Sequence, residues 1–310
     1  MNIFAKERAA FDESWVDPSS VALPIEFEGI IAISLPMRAV IRRILEAAAV
    51  DIPVLITGET GTGKDLVAAA IHKRSKRAHK PYIAVNTGAM ARELIASEIF
   101  GHEKGSFTGA QDSRAGIFEQ ADGGSVFLDE IATMDERTQV SLLRVLEEKN
   151  FRRVGGTKNI GVDVRIITAT NENLEKSVGE KRFREDLFYR LNVFHISVPP
   201  LRERPPGAIT VLTDHFLSQF AAIYGKEIEK VSPETYRTLR RYSWPGNVRE
   251  LKNVVQTALL MADGKEFKPE FIPQRIREAV AASEGRSEPT CSFRVGASLD
   301  SVEKELIRLT

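Results

Sequence analysis

The residues with the clearest chemical potential lie in Gly58-Glu59-Thr60-Gly61-Thr62-Gly63-Lys64-Asp65. Glycines and a lysine at this spacing make a phosphate-binding loop, the Walker A pattern. The glycines let backbone N–H groups turn inward around phosphate oxygens, and Lys64 would reach the β- and γ-phosphates. The next position is Asp65, where the general pattern carries a Ser or Thr hydroxyl for Mg²⁺. A second group closes Ser125-Val126-Phe127-Leu128-Asp129-Glu130, an apolar run ending in two carboxylates, the Walker B form. Asp129 would hold Mg²⁺, directly or through water, because that ion prefers hard oxygen ligands. Glu130 would polarise an attacking water as general base. Thr170 and Asn171 end another apolar run and could contact the γ-phosphate or the water. A third stretch, residues 101–110, sets Phe107 among glycines with no apolar neighbour. An aromatic on such a tip suits contact with something outside the chain.

The elements that must position these groups are legible in outline. The run Val54-Leu55-Ile56-Thr57 precedes the glycine loop, and the helix-forming residues 66–71 follow it. The helix starting at the lysine would add its positive N-terminal dipole. Further apolar strands are expected at residues 82–86, 125–130, 165–171 and 194–198, with helices at 34–49, 91–100 and 136–148. Residues 151–156 and 162–164 read as a hairpin. Strands alternating with helices indicate a parallel sheet covered on both faces, with polar residues at the strands' carboxyl ends, where such sheets bind ligands. Strand order is not readable at this level. After Pro205-Pro206-Gly207 the pattern turns helical, at 208–223, 233–242 and 248–261, with Asn247 placed as an N-cap.

Composition sets the outer bounds. The chain has 310 residues, 43% hydrophobic and 28% charged, at a formal net charge of +0. That is an ordinary globular balance with no global field toward nucleic acid or anionic lipid. The single cysteine, Cys291, allows no internal disulfide and fits a reducing compartment. No stretch approaches the roughly 20 apolar residues of a membrane span, and the first residues lack a signal-peptide core. A cytoplasmic location is the expectation.

Taken together, the motifs resemble the AAA+ ATPase domain of bacterial sigma-54-dependent transcriptional activators, also called enhancer-binding proteins. The carriers are residues 58–64, the loop Gly105-Ser106-Phe107-Thr108-Gly109-Ala110, and Gly123-Gly124-Ser125-Val126-Phe127-Leu128-Asp129-Glu130. Further carriers are residues 183–192, Pro199-Pro200-Leu201-Arg202-Glu203-Arg204 and Trp244-Pro245-Gly246-Asn247-Val248-Arg249-Glu250-Leu251. The family also places an acidic residue at Asp65. The resemblance implies an α/β P-loop AAA+ fold with a parallel five-stranded sheet and a small C-terminal helical domain. Its expected divisions are a tail at 1–26, an ATPase domain at 27–204, a helical lid at 205–280, and a linker with the start of a further domain at 281–310.

By the same resemblance, ATP would be bound by residues 58–65, by the segment Ala121-Asp122-Gly123-Gly124 through Glu130, by Thr170 and Asn171 as sensor I, and by Arg249 as sensor II. Asn86 would restrain Glu130, and its usual Cys neighbour is Thr87 here. Arg184 and Arg190 match arginine fingers offered to a neighbouring subunit of a hexameric ring. The loop 105–110 would touch sigma-54 in the RNA polymerase holoenzyme through Phe107 and Thr108, with Ser106 in place of the usual Ala. Pro205-Pro206-Gly207 replaces a charged stretch, so the hinge is expected to differ. Residues 298–310 read as the helix leading into a helix-turn-helix, and enhancer DNA is an expected partner only where that domain exists. The alternatives are a different AAA+ enzyme, such as a chelatase subunit or helicase loader, or a non-enzymatic subunit that poisons or completes a ring.

Overall fold

The computed structural model describes residues 24–106 and 110–284. Phe107, Thr108, Gly109, Cys291, most of the expected tail and the expected helix at 298–310 lie outside the described residues. The centre is a five-stranded sheet of β1 (Val54–Thr57), β2 (Tyr82–Asn86), β3 (Ser125–Asp129), β4 (Arg165–Thr170) and β5 (Phe194–Ser197). All pairings are parallel, in the order β5-β1-β4-β3-β2. The chain leaves β1 and jumps over two places to β2, so the crevice at the carboxyl end of β1 is left open, the position at which such sheets take ligands.

Both sheet faces are buried, and alternation assigns each side chain to one of two cores. Leu55, Val126, Leu128 and Ile166 point to one face, where α3 (Arg92–Phe100), α4 (Glu136–Glu148) and α5 (Glu185–Leu191) pack through Ile95, Leu142 and Leu187. Val54, Ile56, Phe127, Ile167 and Ile196 point to the other, against Ile41 and Ile44 of α1 (Leu35–Ala49) and Val67 and Ile71 of α2 (Lys64–Lys73). The three central strands, buried on both sides, read as apolar runs, which is why they were visible in sequence. Helix starts are fixed locally. Ser34 accepts from Met37 N (3.4 Å) and Asp135 from Thr138 N (2.9 Å), caps worth about 1 kcal/mol each.

The helical unit holds α6 (Pro206–Tyr224), α7 (Pro233–Arg241), α8 (Asn247–Met261) and α9 (Gln274–Glu284) around a third core. Trp244 is fully buried there, its indole N–H donating to Leu239 O at 2.8 Å. Three expectations are corrected. Ile25–Phe27 pairs antiparallel with Ile30–Ala32, so residues 25 and 26 belong to a hairpin and not to a tail. The other hairpin pairs Asn150–Phe151 with Ile160–Gly161, and residues 162–164 lie beyond it. Asn247 is the first residue of α8 and Gly246 stands at the cap, because the Asn247 side chain is used elsewhere. Pro206, in the segment expected to alter the hinge, starts α6, where a missing N–H costs nothing.

Candidate functional site

The carboxyl ends of β1, β2 and β3 meet around a cleft of about 310 Å³. Its walls include Gly61, Gly63, Lys64 and Asp65 from the loop and α2, Asn86 from β2, Asp129 and Glu130 from β3, and Arg249 from α8. The loop bends because Gly61 and Gly63 hold φ of 79° and 98°, a region open chiefly to glycine. Gly63 delivers the chain into α2, so the first backbone N–H groups of that ten-residue helix open on the cleft. The Lys64 ammonium is folded back on the loop, donating to Gly58 O (2.8 Å) and Glu59 O (3.2 Å). Burial pushes its pKa down, against the pull of Asp129 and Glu130. An anion in the cleft would replace those carbonyls as its partner.

Asp129 and Glu130 are set by a dense network. Asp129 Oδ1 accepts from Glu130 N (3.0 Å) and its Oδ2 from Asn86 Nδ2 (3.4 Å), across the β2–β3 register. Glu130 takes a left-handed backbone, φ 57° and ψ 41°. A non-glycine residue in that region is strained and needs surroundings that over-determine it. Thr87 supplies them. It is fully buried, and its Oγ1 lies 2.9 Å from the carbonyl oxygens of both Asp129 and Glu130 and 2.9 Å from Thr133 Oγ1. The Glu130 carboxylate rests against Gly88. The polar contact Asn86 makes here is to Asp129, and the wall behind Glu130 is Gly88. Neither Gly88 nor the clamping role of Thr87 was found from sequence, because a Thr-Gly pair after a strand carries no signal of its own.

Other expected site residues are placed elsewhere. Ala121, Asp122, Gly123 and Gly124 precede β3 at its amino end, and the nearest of them, Gly124, is five residue steps or about 16 Å from Asp129. Asp122 accepts from Asp163 N (2.8 Å) and Gly124 sits against Pro81 O. Ser125 meets His72 at 3.0 Å, and Val126 and Leu128 face the core, so of residues 121–130 it is Phe127, Asp129 and Glu130 that line the cleft. A parallel strand has one end at the ligand and one end away from it, so the whole segment cannot be at the site. Thr170 is buried and holds Gly58 N (3.3 Å) and Glu172 N, while Asn171 Nδ2 donates to Thr60 Oγ1 (3.0 Å). Both brace the loop. Gly58 and Thr62 are also structural, with Thr62 Oγ1 donating to Glu59 O at 2.7 Å.

Glu59 points away from the cleft. Its carboxylate accepts from the Arg202 guanidinium through both oxygens and from Asn247 Nδ2 (3.1 Å). Hydrogen bonds from Arg202 and Asn247 hold its pKa down at about 2. Arg184 and Arg190 do not line the cleft either. Arg184 pairs with Asp186 (2.7 Å) and Arg190 with Glu147 (2.8 Å), both on the surface around α5. Of the loop 105–110, Gly105 N donates to Ala110 O (2.9 Å) and closes its base.

Whether Mg²⁺ fits can be judged from the donors. The carboxylates of Asp129, Glu130 and Asp65 line the same cleft as the lysine, a hard-oxygen set for an ion held by one or two carboxylates and substrate phosphates. Among the described residues no helix is long and apolar enough to cross a membrane.

Comparison with known proteins matches this geometry. Residues 30–197 match the model of the sigma-54 interaction domain and residues 202–289 that of the AAA+ ATPase lid domain. The chain is similar to the regulatory protein AtoC of Escherichia coli K12, 47% identical over 255 residues, covering 82% of this chain and 55% of AtoC. It is similar to the DNA-binding transcriptional regulator NtrC of the same strain, 48% identical over 273 residues, covering 88% of this chain and 58% of NtrC. Crystal structures of NtrX from Brucella abortus in complex with ADP and with ATP superpose at TM-score 0.75 with 34% identity. They cover 90% of this chain and 62% and 61% of NtrX. The chain thus spans little more than half the length of AtoC and NtrC.

Proposed function

This chain belongs to the sigma-54 interaction domain family, completed by an AAA+ ATPase lid, and from that premise we propose that it is an ATP-hydrolysing activator that remodels the sigma-54 RNA polymerase holoenzyme so that a promoter can melt. The observation that carries the proposal is the convergence of Lys64, Asp129, Glu130 and Arg249 on one cleft whose floor is a glycine loop opening into a helix N-terminus.

The residues divide the work as follows. The loop amides and the α2 N-terminus bind the phosphate chain. Lys64 turns from its loop carbonyls to the β- and γ-phosphates. Asp129, with Asp65 nearby, would hold Mg²⁺, which when bound offsets phosphate charge. Glu130 accepts the proton of a water aimed at the γ-phosphate. Arg249 carries the nucleotide state to the helical unit. Arg184 and Arg190 pair with surface carboxylates and do not line their own cleft, which supports delivery to the cleft of a neighbouring copy and hence a ring. Asn86 would restrain catalysis until the ring is engaged, acting here through Asp129. The loop 105–110 delivers the output to sigma-54 through Phe107 and Thr108.

The test is ATPase activity against protein concentration, with and without sigma-54, for the chain and for Phe107→Ala. A steep rise with concentration supports trans-acting arginines. Turnover kept by Phe107→Ala with sigma-54 binding lost places that loop at output. No turnover at any concentration overturns the proposal.

A further inference from the structure

Two motifs singled out in the sequence, residues 199–204 and 244–251, have no assigned chemistry beyond Arg249. In the structure they converge on one side chain of the phosphate loop. Glu59 takes a two-pronged ion pair from Arg202, with Nη1 at 2.7 Å from Oε2, and a hydrogen bond from Asn247 Nδ2 at 3.1 Å. The same amide nitrogen donates to Thr60 O (3.0 Å), while Asn247 Oδ1 accepts from Leu201 N (2.8 Å). Asn247 is fully buried and holds a positive φ of 52° to make these bonds. Arg249 N donates to Gly61 O (3.2 Å), and a side chain at Gly61 would meet Gly246 O at 2.3 Å. Arg204, buried on the loop's other flank, donates to Thr62 O (3.3 Å) and Pro199 O (3.0 Å). Successive loop residues 59 to 62 are each held by the hinge or the helical unit.

We propose that Glu59 is a positioning residue that couples the phosphate loop to the helical unit: its carboxylate grips Arg202 and Asn247 together, so that nucleotide seated in the loop also fixes the lid. This rests on the nucleotide-binding reading above. The carboxylate accepts from hinge and lid at once. A fork-on-carboxylate pair is directional as well as strong, so it transmits orientation where a single contact would not. Glu59 needs no contact with the nucleotide to do this. A phosphate seated on the loop amides stiffens the loop, and the stiffened loop holds the first turn of α8 through Glu59, Thr60 and Gly61.

The test is amide hydrogen exchange on the full chain with and without ATPγS and Mg²⁺, for the wild type, Glu59→Gln and Arg202→Lys. In the wild type, nucleotide should slow exchange in α2 and in the first turn of α8. In each variant α2 should stay protected, while nucleotide-induced protection of α8 should fall by about fivefold or more, the scale of an ordinary coupling between sites. The double variant should be no worse than either single, as expected of one shared contact. Equal α8 protection in all three proteins overturns the coupling role, whatever happens to Tm. Loss of protection in both α2 and α8 also overturns it, since Glu59 would then only maintain the loop's fold. Absence of α2 protection in the wild type overturns the nucleotide reading itself, and this inference with it.

Discussion

The Glu130 carboxylate packs against Gly88 so closely that a methyl group at position 88 would lie 1.6 Å from Oε2 and 2.7 Å from Cδ. The backbone of Glu130 is meanwhile pinned in the left-handed region by Thr87 and Thr133. The carboxylate therefore rests in a space that a residue with a side chain at position 88 would fill.

Gly88→Ala should evict the carboxylate from that resting place while leaving the phosphate loop untouched. Basal ATP turnover without sigma-54 should rise, by up to about tenfold if the working position is a minor state of roughly a tenth of the population. Nucleotide affinity should be unchanged. Steady-state kinetics with a fluorescent-nucleotide titration decide it, and an unchanged or lower kcat counts against a resting carboxylate.

Lys64→Ala and Glu130→Gln should separate binding from chemistry. Removing a charged donor from the cleft should weaken ATP binding by about ten- to a hundredfold, the worth of roughly 1.5–3 kcal/mol. Glu130→Gln should bind ATP normally and lose about 10²–10⁴ in turnover. Calorimetric titration against phosphate release gives both numbers. A Glu130→Gln protein that turns over normally would remove Glu130 from the mechanism.

Arg184→Ala or Arg190→Ala should abolish turnover by about 10³-fold or more, the usual worth of such a finger, without weakening nucleotide binding, because neither arginine lines its own cleft. Mixing an arginine variant with Glu130→Gln should restore part of the activity, since one intact cleft can then meet one intact arginine. Failure of every mixture to recover activity, in rings shown by size to be mixed, would argue against delivery in trans.

The Glu59 latch predicts an acid limb. The folded pKa of Glu59 is depressed to about 2 by Arg202 and Asn247, below its unfolded value near 4.3. Its contribution is therefore present above about pH 4.3 and is lost as pH falls toward 2. Thermal unfolding followed between pH 6 and pH 2 should show Glu59→Gln less stable than wild type at the upper end, with the gap closing through that window. The gap should be small, because both partners are partly solvent-exposed. A gap constant with pH would mean the ion pair contributes nothing.

Much of this protein was determined by local sequence. The three central strands were legible because they are buried along almost their whole length and so read as apolar runs, and Lys64, Asp129 and Glu130 because chemistry fixes their type and their place, at the start of a helix and at the end of a strand. The tertiary structure decided what spacing cannot carry. The order β5-β1-β4-β3-β2 depends on crossovers whose destinations leave no local trace. Residues 121–124 share a motif with Asp129 yet lie at the far end of β3, because a strand's two ends are separated by its own length. Glu59 sits inside a nucleotide-binding motif yet faces Arg202, 143 positions away, and Asn247, 188 away. Gly88 gained its role only when β2 and β3 were laid side by side. The strand order, Glu59 and Gly88 turn on contacts between residues distant in the chain, and a linear pattern records residue types and not the direction in which a side chain is turned.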